Sequence, residues 1–351
     1  MFRKLFKDRD YLLTVEGLFF CVVGYVHPSD RVISYPKYVP KKKTGEENIY
    51  KRILPFYTIQ CLKDALNYLR KEYPHYIFQD ETSNLEFSAV PLQNIKEHLC
   101  PEQGFIKLLH KDRKDSLESK AVEAISTLAE CSGVRLDFFG ITGSILLGIH
   151  NPKFSDVDII VYGRNNSLKV KETLLEFYKN QKSDFKKFFG EKLKNWCRDK
   201  ARLYPLSEAE AEKLYRRIWN RGIYKETFFS IHPTRLDEEV KEKYGEKIFS
   251  QNGLIEIEAT VKNVEESMFI PSVYGVEDVT VRSGLKVDVV EVVSYEGLYG
   301  GIFEEDERIV VKGVLEKVEE RKTKEFYWRV VVGSLKAEGK DYIKPKSFFD
   351  V

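Results

Sequence analysis

The stretch Gly140-Ile-Thr-Gly-Ser-Ile-Leu-Leu-Gly-Ile-His-Asn-Pro-Lys-Phe-Ser-Asp-Val-Asp-Ile-Ile-Val-Tyr162 decides how this chain is read. The run Arg135–Ile141 reads as a strand, Gly143-Ser144 interrupts it, a short apolar helix follows, and Asp156–Tyr162 reads as a second strand. Side chains alternate along a strand, so Asp156 and Asp158 share one face while Val157 turns to the core. Ile159, Ile160 and Val161 anchor that strand in its sheet. Two carboxylates facing one way are a ligand set for divalent ions of the kind that neutralise phosphates. Gly143 allows close backbone approach to a phosphate, and the helix-start amides with the Ser144 hydroxyl are donors for it. Oxygen donors select magnesium or manganese over zinc.

Working outward, a helix over about 117–131 precedes this stretch, after the charged linker Lys111–Asp115. Helical patterns at about 167–195 and 207–219 follow, and then a strand from Glu226 to His232. The alternation predicts an α/β (α+β) module over residues 116–245. Upstream, residues 1–115 form an N-terminal α/β region. It has strand-like runs at Leu12–Val26 and Arg31–Tyr38, a basic Gly-containing loop at Lys41-Lys42-Lys43-Thr44-Gly45, and helical spacing from Tyr57 to Tyr73. Its residue types disclose no role. From residue 246 the helical patterns stop. Strand-like runs at 254–264, 272–281, 285–294, 308–320 and 326–334 predict a β-rich domain over 246–351, a small barrel or sandwich resembling an OB-fold.

Apolar residues make up 42% of the chain and aromatics 13%, enough to fill several cores and to exclude wholesale disorder. The net charge of +2 hides an asymmetry. Residues 246–351 hold 15 basic and 21 acidic groups, a net of −6, which leaves 42 against 34, a net of +8, for residues 1–245. A polyanion is better received by the first two thirds. Five scattered cysteines, with no CxxC or Cys/His pairing, suggest neither a zinc site nor a disulfide framework. The start lacks the apolar run of a signal peptide, and no stretch approaches membrane-spanning length. These features predict a soluble, cytoplasmic protein.

The Gly-Ser turn, the intervening helix and Ser155-Asp156-Val157-Asp158 before an apolar strand together resemble the polymerase-β nucleotidyltransferase superfamily. Glu16-Gly17-Leu18-Phe19-Phe20, Ser230-Ile231-His232-Pro233 and Ser294-Tyr295-Glu296-Gly297 also resemble a group of predicted archaeal nucleotidyltransferases. The resemblance implies a magnesium-dependent enzyme that moves a nucleoside monophosphate from an NTP to an acceptor hydroxyl. It assigns Asp156 and Asp158 to metal, and Gly143 and Ser144 to the nucleotide. That superfamily usually places a third carboxylate on a later strand, and here the expected strand carries no Asp. Period-two alternation puts Glu226, Phe228, Ser230 and His232 on one face, making Glu226 and His232 the candidates for the third catalytic role. Glu256, Glu258 and Asp288 stand behind them.

The segment Lys179–Arg202 holds nine basic and three acidic residues among Phe185, Phe188, Phe189 and Trp196. This is a pattern for RNA or another polynucleotide acceptor, and equally for an amphipathic helix. His150 and Arg235 are further phosphate candidates, and each also reads as a packed or ion-paired side chain. The competing function is a non-catalytic nucleotide- or RNA-binding protein on a degenerate transferase module, which the absent third Asp favours. A DxD glycosyltransferase is disfavoured by the upstream Gly-Ser turn. A haloacid-dehalogenase-type phosphatase is disfavoured by Ile160, where a Thr is wanted.

Overall fold

The computed structural model describes residues 5–41, 50–54 and 59–349 of the chain, so the Lys41–Gly45 loop lies, Lys41 apart, outside the described residues. It is a mixed α+β protein with three sheets and a β-rich C-terminal region. The first sheet combines β1 (Tyr11–Thr14), β2 (Phe19–Val22), β3 (Arg31–Pro40), β4 (Tyr50–Arg52), β5 (Ile77–Asp80), β6 (Leu85–Pro91) and β7 (Ile95–Leu99). Helix α1 (Ile59–Glu72) packs beside it and supplies Leu69 to its core. The expected run Leu12–Val26 is split because Gly17 adopts φ +84 and turns the chain back, so that Leu13 pairs with Phe19. The strand order β5-β6-β3-β2-β1-β7 carries β4 on the side of β3.

The second sheet is small and mixed. Helices α2 (Pro101–Leu109) and α3 (Ser116–Ser132) lead into β8 (Phe139–Thr142) and the one-turn α4 (Gly143–Leu146). Then come β9 (Val157–Tyr162), α5 (Arg164–Lys179), β10 (Phe185–Lys186), α6 (Gly190–Leu203), α7 (Glu208–Arg217), β11 (Arg221–Tyr224) and β12 (Thr227–Thr234). The order is β10-β11-β12-β9-β8, with β12 and β9 parallel. Asp115 starts α3 with a capping box, its side chain accepting from the Leu117 and Glu118 amides. Phe105 and Leu108 of α2 belong to the core beneath this sheet, so its packing begins before residue 115. The expected helix over 167–195 is broken. The polar run after Asn180 ends α5, and Phe185 leaves the helix to stack on Phe177, with ring centroids 5.2 Å apart, in the core.

The third sheet holds β13 (Lys247–Asn263), β14 (Ser272–Ser283), β15 (Val289–Ser294), β16 (Arg308–Glu320), β17 (Phe326–Val332) and β18 (Tyr342–Pro345). β13 pairs with both β14 and β16, so the ladder β13-β14-β15-β17-β16 returns to its starting strand, and β18 extends it beyond β16. Leu214, Tyr215 and Ile218, from α7 and the residue after it, pack into the core of this sheet. Among the described residues no helix is long and apolar enough to cross a membrane.

The first two sheets are joined by hydrogen bonds from Thr142 Oγ1 to the Arg9 carbonyl, 2.8 Å, and from the Arg235 amide to Tyr25 OH, 3.2 Å. The third sheet meets the first where the Phe249 amide donates to the Thr82 carbonyl at 2.7 Å. All three surround one cavity of about 1880 Å³.

The edge of the first sheet contains a buried ionic cluster. His98 Nε2 lies 2.8 Å from Asp10 Oδ2 and 3.6 Å from Cys100 Sγ, three groups that meet because β7 runs beside β1. Burial opposes a charge on His98, but Asp10 and Cys100 outweigh it and raise the imidazole to about 9. The folded value exceeds the ordinary one, so the stabilisation is complete below about pH 6.5 and disappears as pH rises toward 9. Its upper bound is about 3 kcal/mol. His98→Gln is therefore expected to lower the melting temperature at pH 6 and to have little effect at pH 9.5. An equal loss at both values would show that His98 acts by packing alone.

Candidate active site

The site forms where β9 emerges from the core. Val157, Ile159 and Val161 are buried in the core beneath the sheet, which turns the Asp158 carboxylate to the opposite face and into the cavity. Asp156, one residue before the strand begins, lines the same cavity. Thr142 is the register partner of Asp158 across the β8–β9 pair, so the turn into α4 begins directly beside that carboxylate. Gly143 has φ +66, and a Cβ placed there would lie 2.4 Å from Asp158 Oδ2. A side chain at 143 is excluded twice, by backbone conformation and by the carboxylate. Ser144 follows on the cavity wall.

On the other side of β9, the parallel register sets Ser230 opposite Asp158. Ser230 Oγ donates to Asp158 Oδ1 at 2.5 Å, and His232 Nε2 lies 2.8 Å from Ser230 Oγ and 3.7 Å from Asp158 Oδ1. The hydroxyl has one proton, already given to Asp158, so the network assigns Nε2–H to His232 as donor to Ser230. Burial lowers His232 to about 4, with Arg9 adding to the effect and Asp158 opposing it, so the ring is neutral near pH 7.

The two aspartates are held in different states. Burial disfavours charge on Asp158, but the His232–Ser230 hydrogen-bond chain and the Lys37 ammonium keep it well below the usual carboxylate range. Asp156 is accessible to solvent within the cavity. The cavity walls still screen it from bulk water, and that desolvation and then the adjacent Asp158 push it up to about 6, against Arg221 and Arg52. Two like charges in one low-dielectric site create a demand for a cation.

Four basic residues surround the pair. Arg221 starts β11, and Arg9, Lys37 and Arg52 come from the first sheet. Lys37 is aimed by a bulge in β3: Phe19 pairs with Tyr38 and Phe20 with Pro36, leaving Lys37 as the extra residue. It is buried, and its ammonium meets the Tyr11 hydroxyl at 2.5 Å. This gives residues 1–115 a place in the site. The signal in the sequence was a lysine between Tyr35-Pro36 and Tyr38-Val39, a residue type rarely buried without a partner.

Glu226 is a correction. It lies in the turn between β11 and β12, exposed and with φ +67, rather than on the strand, because Tyr224 pairs with Thr227 and closes a tight hairpin around Lys225 and Glu226. It does not line the cavity, whereas Phe228, Ser230 and His232 do, in agreement with their alternation. Glu256, Glu258 and Asp288 also lie away from the cavity lining, and Glu258 is held by Arg282 and Arg308 at 2.6 and 2.8 Å. His150 pairs with Asp115 Oδ2 at 2.7 Å on the cavity rim. Arg235 binds Glu266 and lies 5.0 Å from each of the Tyr25 and Phe269 ring centroids. Among the described residues, two groups bring three or more ligand atoms within 4.8 Å of one another, Asp10–His98–Cys100 and Asp115–Glu118–His150, and the Asp156–Asp158 pair is in neither.

The fold is thus a mixed α+β protein whose three sheets enclose an acidic pair ringed by cations. The chain is 31% identical to an uncharacterized protein of Methanocaldococcus jannaschii, MJ1086, over 350 residues that cover 97% of this chain and 99% of that protein, and it belongs to the same family. No family model and no solved structure matches the chain.

The Gly143–Asp158 contact generates an expectation. If the acidic pair holds a divalent ion, Gly143→Ala should displace the carboxylate and lower Mn²⁺ affinity about tenfold or more, as losing an orienting contact does. It should also cost about 1–2 kcal/mol of stability through the left-handed backbone. Calorimetric Mn²⁺ titration and urea unfolding measure the two effects. An unchanged Mn²⁺ affinity would uncouple the turn from the acidic pair.

Proposed function

We propose that this chain is a nucleotidyltransferase of the polymerase-β-like kind. In the proposed reaction an acceptor hydroxyl oxygen attacks the α-phosphorus of an NTP. The bond from that phosphorus to the α–β bridging oxygen breaks, and pyrophosphate leaves. The observation that carries this reading is the packing of the Gly143 turn against Asp158, with Asp156 beside it. A phosphate-approachable backbone and two ligand carboxylates meet at one point.

The donor set fits magnesium or manganese: two carboxylates and no sulfur, with desolvation and then the charge of Asp158 raising Asp156. Asp156 and Asp158 would hold the ion, which when bound neutralises phosphate charge and aligns oxygens. The protein's own groups divide the remaining work. The amides at Gly143 and Ser144 and the Ser144 hydroxyl are donors toward the β- and γ-phosphates. Arg9, Lys37, Arg52 and Arg221 add fixed positive charge to a site screened from bulk solvent, where such charge acts most strongly. Ser230 and His232 orient Asp158 and keep it ionised. The closed pairing order β13-β14-β15-β17-β16 supports an OB-like reading of the C-terminal region.

A second reading has its own observation. The cavity face of β12 carries Phe228, Ser230 and His232 and no carboxylate, as expected of a module that binds nucleotides without transferring them. One experiment separates the two. Wild-type protein with Mn²⁺ and each NTP is assayed for binding and for pyrophosphate release, with oligonucleotide, nucleoside and protein acceptors. Asp156→Asn and Asp158→Asn should each reduce metal-dependent NTP binding below detection with the fold intact. Pyrophosphate release supports transfer. Tight binding with no release from any combination supports the binding module, and unchanged NTP affinity in both variants defeats both readings.

A further inference from the structure

We infer that the wall formed by β11, β12 and α6 is an acceptor subsite for the terminal nucleotide of a single-stranded nucleic acid. The inference rests on the transferase reading and gives it a substrate class. Sheet order provides the first argument. β9, with the acidic pair, has the Gly143–Ser144 turn on its β8 side and β12, then β11, on the other. If the triphosphate occupies the turn, the acceptor hydroxyl must approach Asp156 and Asp158 across β12.

The chemistry of that wall provides the second. Phe229 pairs with Val157 and Ser230 with Asp158, so Phe228 stands level with Asp156. Phe228 is 39% exposed and lines the cavity, so part of its ring is open to a ligand there. Phe188 packs edge-on against it at 5.2 Å, and Lys192 Nζ lies 5.1 Å from its ring centroid. An open aromatic ring backed by a second ring and flanked by a cation is a platform for a nucleobase.

Behind it, Arg221 and Lys200 line the same wall. Among the described residues, neither the Arg221 guanidinium nor the Lys200 ammonium has a hydrogen-bond or ion-pair partner, although desolvation lowers both from their ordinary values. The Lys200 ammonium lies 5.5 Å from each of the Trp196 and Tyr204 ring centroids, and two screened cations with no anion bonded to them are placed for phosphate oxygens. Lys192 and Lys200 belong to the basic, aromatic Lys179–Arg202 segment, and α6 turns both toward the cavity, together with Trp196.

Size provides the third argument. The cavity, at about 1880 Å³, far exceeds the ~300–1000 Å³ that a small-molecule site needs, so an NTP leaves room for a second substrate. Glu296, which accepts from the Tyr204 hydroxyl at 2.9 Å beside Lys200, lines the same cavity with Glu291 and Glu316, and these acidic groups oppose a long polyanion. Only the last nucleotides are therefore engaged. With two or three phosphates bound by Arg221, Lys192 and Lys200, the log–log salt slope should be about −1.4 to −2.

The test uses the full chain without NTP or metal, and a five-nucleotide single strand ending in 2-aminopurine, made as RNA and as DNA. Wild-type protein should bind at least one of them and quench the terminal base, and the difference between the two identifies the sugar preferred. Phe228→Ala, at an exposed position, should remove the quenching and weaken binding about tenfold, while Mn²⁺-dependent NTP affinity stays within about twofold. Lys192→Ala should weaken binding and make the salt slope shallower. Absence of oligonucleotide binding, or quenching unchanged in Phe228→Ala, overturns the inference. If Asp156→Asn still abolishes NTP binding in that case, the nucleotide site stands, and pyrophosphate release with a nucleoside or protein acceptor keeps the transferase reading. If wild-type protein binds no NTP with Mn²⁺, that reading falls on its own.

Discussion

The Asp158 carboxylate rests against the Cα of Gly143, and much of the site's geometry follows from that contact. It fixes the distance between β9 and the turn leaving β8, and it forbids any side chain at position 143. It also leaves the other carboxylate oxygen for Ser230. A charged group so placed needs support from several directions. Ser230 and His232 provide it from β12, and Lys37 provides it from a different sheet. Removing one member of such a set exposes the others to an uncompensated burial cost, so the arrangement holds or fails as a unit.

That interdependence ties the N-terminal sheet to the site. Thr142, the residue before Gly143, is tied to the Arg9 carbonyl, and Arg9 in turn faces the site. On the opposite side, α6 and α7 carry side chains into the core of the third sheet while α6 also lines the cavity. Forces that assemble the cavity are therefore mostly those of ordinary core packing. The polar groups at its surface are positioned by strands whose apolar faces are buried elsewhere.

Local pattern made part of this legible. The strand parity of Asp156 and Asp158, the turn at Gly143 and the placement of Ser230 and His232 all depend on short-range periodicity, which β9 and β12 obey. The β-rich C-terminal region was legible for the same reason. What was not legible depended on contacts distant in sequence or on turn closure. Glu226 continues the alternation of β12 on paper, but the Tyr224–Thr227 pair closes the hairpin and takes it off the strand. Phe185 sits in a helical pattern, yet stacking on Phe177 and packing on Tyr224 draw it into a strand. No pattern within residues 1–115 announces that Arg9, Lys37 and Arg52 converge on a sheet more than 85 residues further along the chain.

The bulge in β3 has a consequence for how such a site changes over time. Lys37 acts on Asp158 through its charge because one strand contains one residue more than its neighbour, so the charge is delivered by register and not by residue identity alone. Deletion of Pro36 would restore a regular ladder and set Lys37 opposite Phe20, on the other face of the strand, while the flanking pairs stay as they are. Length and composition are coupled there. The positive charge over the acidic pair can be lost through a change that leaves every remaining residue type as it was, and regained only by an insertion at the same place.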